Sequence, residues 1–409
     1  MNSSLTESCG ILSQLAAGGY RVKFRGFNAI DRYLGLSELP FTWIETNADL
    51  AALAPYIDNI RFPGVEIADA ASDHFTIDSY PASDYFACTE DDQPNASLPI
   101  LSFAYNWHTR HFEDTLGVYP YLRELKCKRE KFINQDALLP PEENHFEINF
   151  IQTRAGLHRT IMDAALLLAR YGYSESKLDD LLENCYADKL PEVEAQRAFL
   201  INLLVSPRPD WGLELIKKYG LLEKIWPELA SYDDVDHAKE FHPEGNVWMH
   251  TLETFRHRKA PASGVYDLRL SLGLLLHDAG KPIADSSRSH RFDGHAELGA
   301  RAAQRFLEQL GFGKSIIEDI YYLVRNHMLP AALKRLPLSK TGDIMSSKLF
   351  PTLMELYRCD ESSSFKGLDL YYENSAVYQS FLKNTRNPYR TLDGKRLSPG
   401  RHVKNYKKN

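Results

Sequence analysis

Six side chains in the second half of the sequence have the types that a metal centre needs: His250, the adjacent pair His277 and Asp278, His295, His327 and Asp360. Imidazoles and carboxylates that converge on a cation let it acidify bound water and polarise a phosphoryl oxygen. The adjacent pair is the sharpest clue. It ends the run Leu268-Arg-Leu-Ser-Leu-Gly-Leu-Leu-Leu276, whose leucines demand burial, so an imidazole and a carboxylate there cost desolvation energy unless a partner offsets it. A cation is such a partner. His250, His277, Asp278 and Asp360 supply four ligands for one metal, and His295 and His327 supply a second site if Asp278 bridges. Many imidazoles beside few carboxylates favour Mn, Fe, Co, Ni or Zn over Mg, which prefers oxygen.

The elements that must carry these groups are helical. Apolar periodicity marks segments around Val247–Arg258, one ending at His277-Asp278, then Ala296–Leu310, Ile316–His327 and Lys348–Asp360. Each candidate ligand lies near the end of such a stretch. Upstream, Ile161–Arg170, Ala195–Leu204 and Trp211–Tyr219 carry the same period, whereas residues 10–125 mix short alternating runs such as Tyr20–Phe24 and His74–Asp78 with turn-rich connections. The fold class expected is therefore multidomain and mainly α, with a small α/β head. A polar stretch, 126–145, separates the two patterns.

The 409 residues exceed what one hydrophobic core usually serves. With 44% hydrophobic and 25% charged residues, the chain reads as an ordinary globular protein, and its net charge of -7 argues against a protein that is basic all over. Five scattered cysteines without a C-x-x-C pair fit free thiols in a reducing compartment. Neither a signal-peptide start nor an apolar run of membrane-spanning length is present in the sequence, so a cytoplasmic location is expected. After Ser380, Arg386, Arg390, Lys395, Arg396, Arg401, Lys404, Lys407 and Lys408 face only Asp393, a basic tail suited to an RNA contact or to plain solvation.

The order His, His-Asp, Asp resembles the HD-domain superfamily of metal-dependent phosphohydrolases. Phe241-His-Pro-Glu-Gly-Asn-Val-Trp-Met-His-Thr-Leu252, His277-Asp-Ala-Gly-Lys-Pro282 and Arg291-Phe-Asp-Gly-His-Ala296 resemble the HD domain of bacterial tRNA nucleotidyltransferases. The resemblance implies that His250, His277, Asp278 and Asp360 ligate a primary metal and that Lys281 meets a substrate phosphate; an ammonium after a glycine suits that role, and a surface helix-end cation is the plainer alternative. His295 and His327 complete a second metal or serve as ordinary capping groups. His242 lines the site or caps a helix. The implied layout is a nucleotidyltransferase-like head over 1–125, a linker and helical neck over 126–240, an all-α HD domain over 241–365 and a C-terminal segment over 366–409.

In the head, Gly18-Gly-Tyr-Arg-Val-Lys-Phe-Arg-Gly-Phe-Asn-Ala-Ile-Asp-Arg-Tyr-Leu-Gly35 is similar to the G-G-x-x-R-D segment that cradles a triphosphate. Gly26, Asp31 and Gly35 match; Phe27 and Ile30 replace a glycine and the arginine. The D-x-D pair that would hold two Mg ions is absent from Phe41-Thr-Trp-Ile-Glu-Thr-Asn47, and Gly156-Leu-His-Arg-Thr-Ile-Met-Asp163 stands where E-D-x-x-R-x-x-R is expected. Tyr80, Tyr85, Phe86, Tyr105 and Trp107 are core residues or base-stacking platforms. The expectation is thus an HD-type phosphohydrolase, dependent on one or two divalent ions, acting on a nucleotide or an RNA-end phosphate, with a head that adds no nucleotides. The alternatives are tRNA nucleotidyl transfer or polyadenylation by the head, and a non-catalytic RNA-binding protein.

Overall fold

The computed structural model describes residues 12–37, 39, 41–48, 51, 55, 60–64, 67–70, 83–88, 96–133, 156–235, 245–262, 264–284, 292–364, 367–387 and 389–396. Contacts divide the chain into two units. One is Met1–Ser231 with Arg258–Ser271 and Arg305–Ile317; the other is Tyr232–His257 with Leu272–Gln304 and Glu318–Asn409.

The first unit opens with the α/β head. Strand β1 (Val22–Arg25) turns at Gly26 into helix α1 (Phe27–Leu34), and the chain returns as β2 (Phe41–Thr46). Gly26 sits at φ 64°, a conformation that suits glycine, and its N–H bonds the Phe103 carbonyl. Strands β3 (Ile60–Gly64), β4 (Ile67–Ala70), β5 (Ser83–Cys88), β6 (Ala104–Asn106) and β7 (Phe112–Glu113) complete a sheet of order β3-β4-β5-β2-β1-β6-β7. All neighbours are antiparallel except β2 and β5, which run parallel with Ile44 opposite Phe86. Phe24, Tyr105 and Trp107 are buried together, with Arg32 stacked over the Tyr105 ring at 4.3 Å. Tyr105 and Trp107 are therefore core. Tyr80 lies outside the described residues, as does the run His74–Asp78.

Helix α2 (Tyr119–Ile133) holds Lys126–Lys131, so the first part of the polar stretch is continuous helix and not a connection. Arg123, Lys126 and Lys128 are exposed on it, whereas Arg129 turns inward and donates to the Leu34 carbonyl. Helices α3 (Leu157–Tyr171), α4 (Val193–Leu204) and α5 (Pro209–Lys218) follow. A Cβ at Gly212 would lie 2.4 Å from a Leu203 methyl and 2.9 Å from the Ala165 carbonyl, so the missing side chain lets α5 press on its neighbours. The buried Arg258 guanidinium donates to the carbonyls of Leu204, Ser206 and Pro207, satisfying the end of α4. Asp31, a match to the triphosphate-cradling motif, serves the fold. Arg170 of α3 forks onto its two oxygens at 2.8 Å each, and the Tyr171 hydroxyl donates to it at 2.7 Å.

The second unit draws on α6 (Val247–Arg256), α7 (Leu268–Leu276), α8 (His295–Gln309), α9 (Lys314–Asn326), α10 (Phe350–Ser362) and α11 (Asp369–Arg386). The leucines of α7 from Leu272 onward are fully buried. Gly273 packs where a Cβ would meet Leu356 at 2.8 Å and Leu323 at 3.3 Å, which brings α7 close against α9 and α10. Asn246 caps α6 by accepting from the Met249 N–H at 3.0 Å. That cap fixes the turn from which His250 projects. No helix among the described residues is long and apolar enough to cross a membrane.

Candidate metal centre

Helix ends deliver the site. His277 and Asp278 follow α7, His295 starts α8, His327 follows α9, His250 lies in the first turn of α6 and Asp360 in the last turn of α10. Their ligand atoms form two groups, His250 with His277 and Asp360, and Asp278 with His295 and His327, each with its atoms within 4.8 Å of one another. His242 lies outside the described residues.

The protons on the rings can be placed. Nδ1 of His277, His295 and His327 lies 2.8, 2.9 and 2.7 Å from the carbonyls of Leu274, Phe292 and Val324, each three residues back. A carbonyl only accepts, so each Nδ1 carries hydrogen, and in the neutral ring each Nε2 presents a lone pair. The Nε2 atoms converge, with that of His250 among them: His295 and His327 approach Nε2 to Nε2 at 3.1 Å, and His277 and His250 at 3.3 Å. Facing lone pairs repel at that range, and a shared cation removes the repulsion. The carboxylates are near at hand, with Asp360 Oδ1 3.1 Å from His250 Nε2, Asp278 Oδ2 3.3 Å from His277 Nε2, and Asp278 Oδ1 3.7 Å from His295 Nε2. Ligands held about 2.0–2.2 Å from a cation stand roughly 3–3.5 Å apart, so the donor set and its spacing fit divalent cations. Asp278 offers one oxygen to each group.

Electrostatics points the same way. Burial alone would raise the Asp278 carboxyl, yet with the imidazoles protonated the charges of His277 and Lys281 and then His250 hold it well below the usual range, and a cation held by the neutral rings would take the place of those ring charges. Asp360 is lowered likewise, against its burial, by a hydrogen bond from His250 when that ring is protonated and by the charge of a protonated His277. Burial, then the neighbouring His277, pushes His327 down to about 4, and burial lowers His295 too. Both imidazoles are thus neutral at pH 7, the form that ligates metal. A cation bound here would supply Lewis acidity toward phosphate oxygens and water.

Lys281 Nζ lies 2.6 Å from Asp278 Oδ2 and 5.7 Å from the centre of the Phe292 ring. Two residues of this neighbourhood escaped sequence reasoning. Phe292 is buried with φ 45°, a left-handed conformation unusual for a bulky residue, and its carbonyl accepts both the backbone N–H and the ring Nδ1–H of His295. Its strained turn belongs to the motif Arg291–Ala296, which was the available signal. Ser363, beside His250, had none. Gly280 is a third determinant of position, because a Cβ there would lie 1.9 Å from the His295 carbonyl.

Residues 247–348 match the HD domain family model. This chain contains an HD domain. Around it, curated relatives agree in kind. The CC-adding tRNA nucleotidyltransferase of Thermus thermophilus is 32% identical over 211 residues, 49% of this chain and 46% of that protein. The multifunctional CCA protein of Halorhodospira halophila is 30% identical over 125 residues, 31% of this chain and 29% of that protein. The chain spans less than half the length of these relatives. Among solved structures, the Bacillus stearothermophilus CCA-adding enzyme in complex with CTP gives a TM-score of 0.47 at 14% identity, over 94% of this chain and 84% of that one. At that level the likeness bears on neither substrate nor activity.

The first of these relatives overturns the expectation of a phosphohydrolase whose head adds no nucleotides: the chain matches a protein named as a CC-adding tRNA nucleotidyltransferase, and the second relative is named as a CCA protein. Loss of activity was inferred from absent motif residues, and an absent residue at one place does not measure the chemistry of a whole fold. The side chains of Phe41–Ile44 lie outside what is described, while Glu45, the sole acid on β2, is gripped by Arg25, whose Nε lies 2.9 Å away.

Proposed function

We propose that this chain is a tRNA nucleotidyltransferase acting at the RNA 3′ end, and that its HD domain holds one or two divalent cations. The observation that carries the first part is the 211-residue match at 32% identity to a CC-adding tRNA nucleotidyltransferase. In such transfer the RNA 3′ oxygen bonds to the α-phosphorus of a nucleoside triphosphate, and pyrophosphate leaves. The head supports the reading through its architecture, in which β1, the Gly26 turn and α1 lead into β2 beside the parallel β5. For the second part, the four converging imidazole lone pairs and two carboxylates are the support. His250, His277, Asp278 and Asp360 are proposed as ligands of one cation, and Asp278, His295 and His327 as ligands of another, with Lys281 beside them as the ammonium that meets a phosphate.

Transcribed tRNAs ending before, within and after the terminal CCA, incubated with the purified chain, Mg and labelled CTP or ATP, test the activity. Extension of the truncated tRNAs and not of the complete one is expected. A chain that extends none of them is not a nucleotidyltransferase.

A further inference from the structure

Three of the four imidazoles at the metal centre are oriented by a carbonyl of their own segment, three residues back. His250 is oriented differently. Its Nδ1 reaches across to the end of α10, where Ser363 Oγ lies 3.2 Å away. A serine hydroxyl has one proton to give, and this one goes to the Asp360 carbonyl at 2.6 Å. Toward His250 the oxygen therefore accepts, Nδ1 carries the hydrogen, and Nε2 keeps the lone pair that faces His277 and Asp360. Ser363 is buried, at 9% exposure, so bulk water is a poor substitute.

We infer that Ser363 is a positioning residue: it selects the His250 tautomer and ring angle and thereby sets the affinity of the cation position formed by His250, His277 and Asp360, leaving that of Asp278, His295 and His327 alone. The competing state is close at hand. Without the hydroxyl, the proton can move to Nε2, which already lies 3.1 Å from Asp360 Oδ1; His250 would then donate to that carboxylate and remove two ligand atoms at once. The same hydroxyl ties the imidazole to the turn that carries Asp360, so ring and carboxylate are set in register by one group. Outer-shell partners of metal-bound histidines typically change affinity about 10- to 100-fold when removed. Of the four Nδ1 partners named among the described residues this is the one a substitution can delete, since the other three are backbone.

The inference rests on the metal reading of the site, and one titration separates the two. Metal-stripped full-length protein is titrated with Co(II), followed by visible absorption and by competition with a chromophoric chelator. Ser363→Ala is expected to weaken one binding step about 10- to 100-fold and leave the other unchanged, and Ser363→Thr, which retains the hydroxyl, to bind more tightly at that step than Ser363→Ala. If the wild type takes up a single ion, weakening of that one step is the supporting result. Wild-type-like titration of Ser363→Ala, equal weakening of both steps, or Ser363→Thr no tighter than Ser363→Ala overturns the inference. A wild type that takes up no cobalt removes the metal reading itself.

Discussion

At the scale of single residues, the six proposed ligands can be picked out of the sequence because imidazoles and carboxylates declare their chemistry by type, and the fold gathers them into two groups. His277→Ala or Asp278→Ala deletes a donor from that set, and each should cost more metal affinity than the roughly 10- to 100-fold of an outer-shell change; metal analysis after dialysis against the ion checks this, and retention of full occupancy contradicts it. The protonation of His327 gives a second prediction. Its folded pKa is about 4 against 6.5 when unfolded, so between these values the unfolded chain binds the extra proton. The stability it contributes is present above pH 6.5 and is lost as pH falls toward 4, by an amount on the order of 3 kcal/mol. His295, also lowered by burial, adds in the same direction. Urea denaturation of metal-stripped protein at several pH values should show this decline, and a flat profile over that range would speak against neutral buried imidazoles. What the sequence could not disclose was the role of Phe292, although that residue stands in the motif Arg291–Ala296, or any sign of Ser363. Phenylalanine and serine are common residues, and their importance comes from a backbone angle and a contact made only in the folded chain.

At the scale of elements, apolar periodicity located the helices that carry the ligands, and Leu268–Leu276 is as buried as its leucines require. The head was harder to read. Lys126–Lys131 looks like a break because charged residues dominate it, yet its backbone is continuous helix, with Lys126 and Lys128 exposed. Asp31 looks like a fragment of a triphosphate-binding motif, and its place in the fold shows a carboxylate committed to Arg170 and Tyr171. Asp31→Ala would strand a buried guanidinium and should destabilise the first unit by about 3–5 kcal/mol, read as a fall in the denaturation midpoint; an unchanged midpoint would show that the pair is dispensable. Gly280→Ala tests how elements set the site. Its new methyl would collide with the His295 carbonyl, so the turn carrying Asp278 and Lys281 must withdraw from the start of α8. A loss of about 1–3 kcal/mol through overpacking is expected together with weakened binding of the cation assigned to Asp278, His295 and His327. Normal metal affinity in this variant would mean that the close approach of the two backbones does not position the ligands.

At the scale of the whole molecule, the chain joins an α/β head to a helical HD domain, and the two halves differ in how openly they show their chemistry. The HD domain shows its proposed ligands in the sequence. The head is an α/β unit, as its alternating runs imply, while its sequence lacks the D-x-D pair, and reading that lack as inactivity conflicts with a relative named as a CC-adding tRNA nucleotidyltransferase. The most direct measurement is therefore single-nucleotide extension of a tRNA that lacks its terminal CCA, by the wild type and by a His277→Ala, Asp278→Ala double variant, in Mg and labelled CTP. Extension by the wild type is predicted, with the double variant still active because its altered residues belong to the HD domain. No incorporation by the wild type, under conditions in which a known CCA-adding enzyme extends the same RNA, would contradict the account.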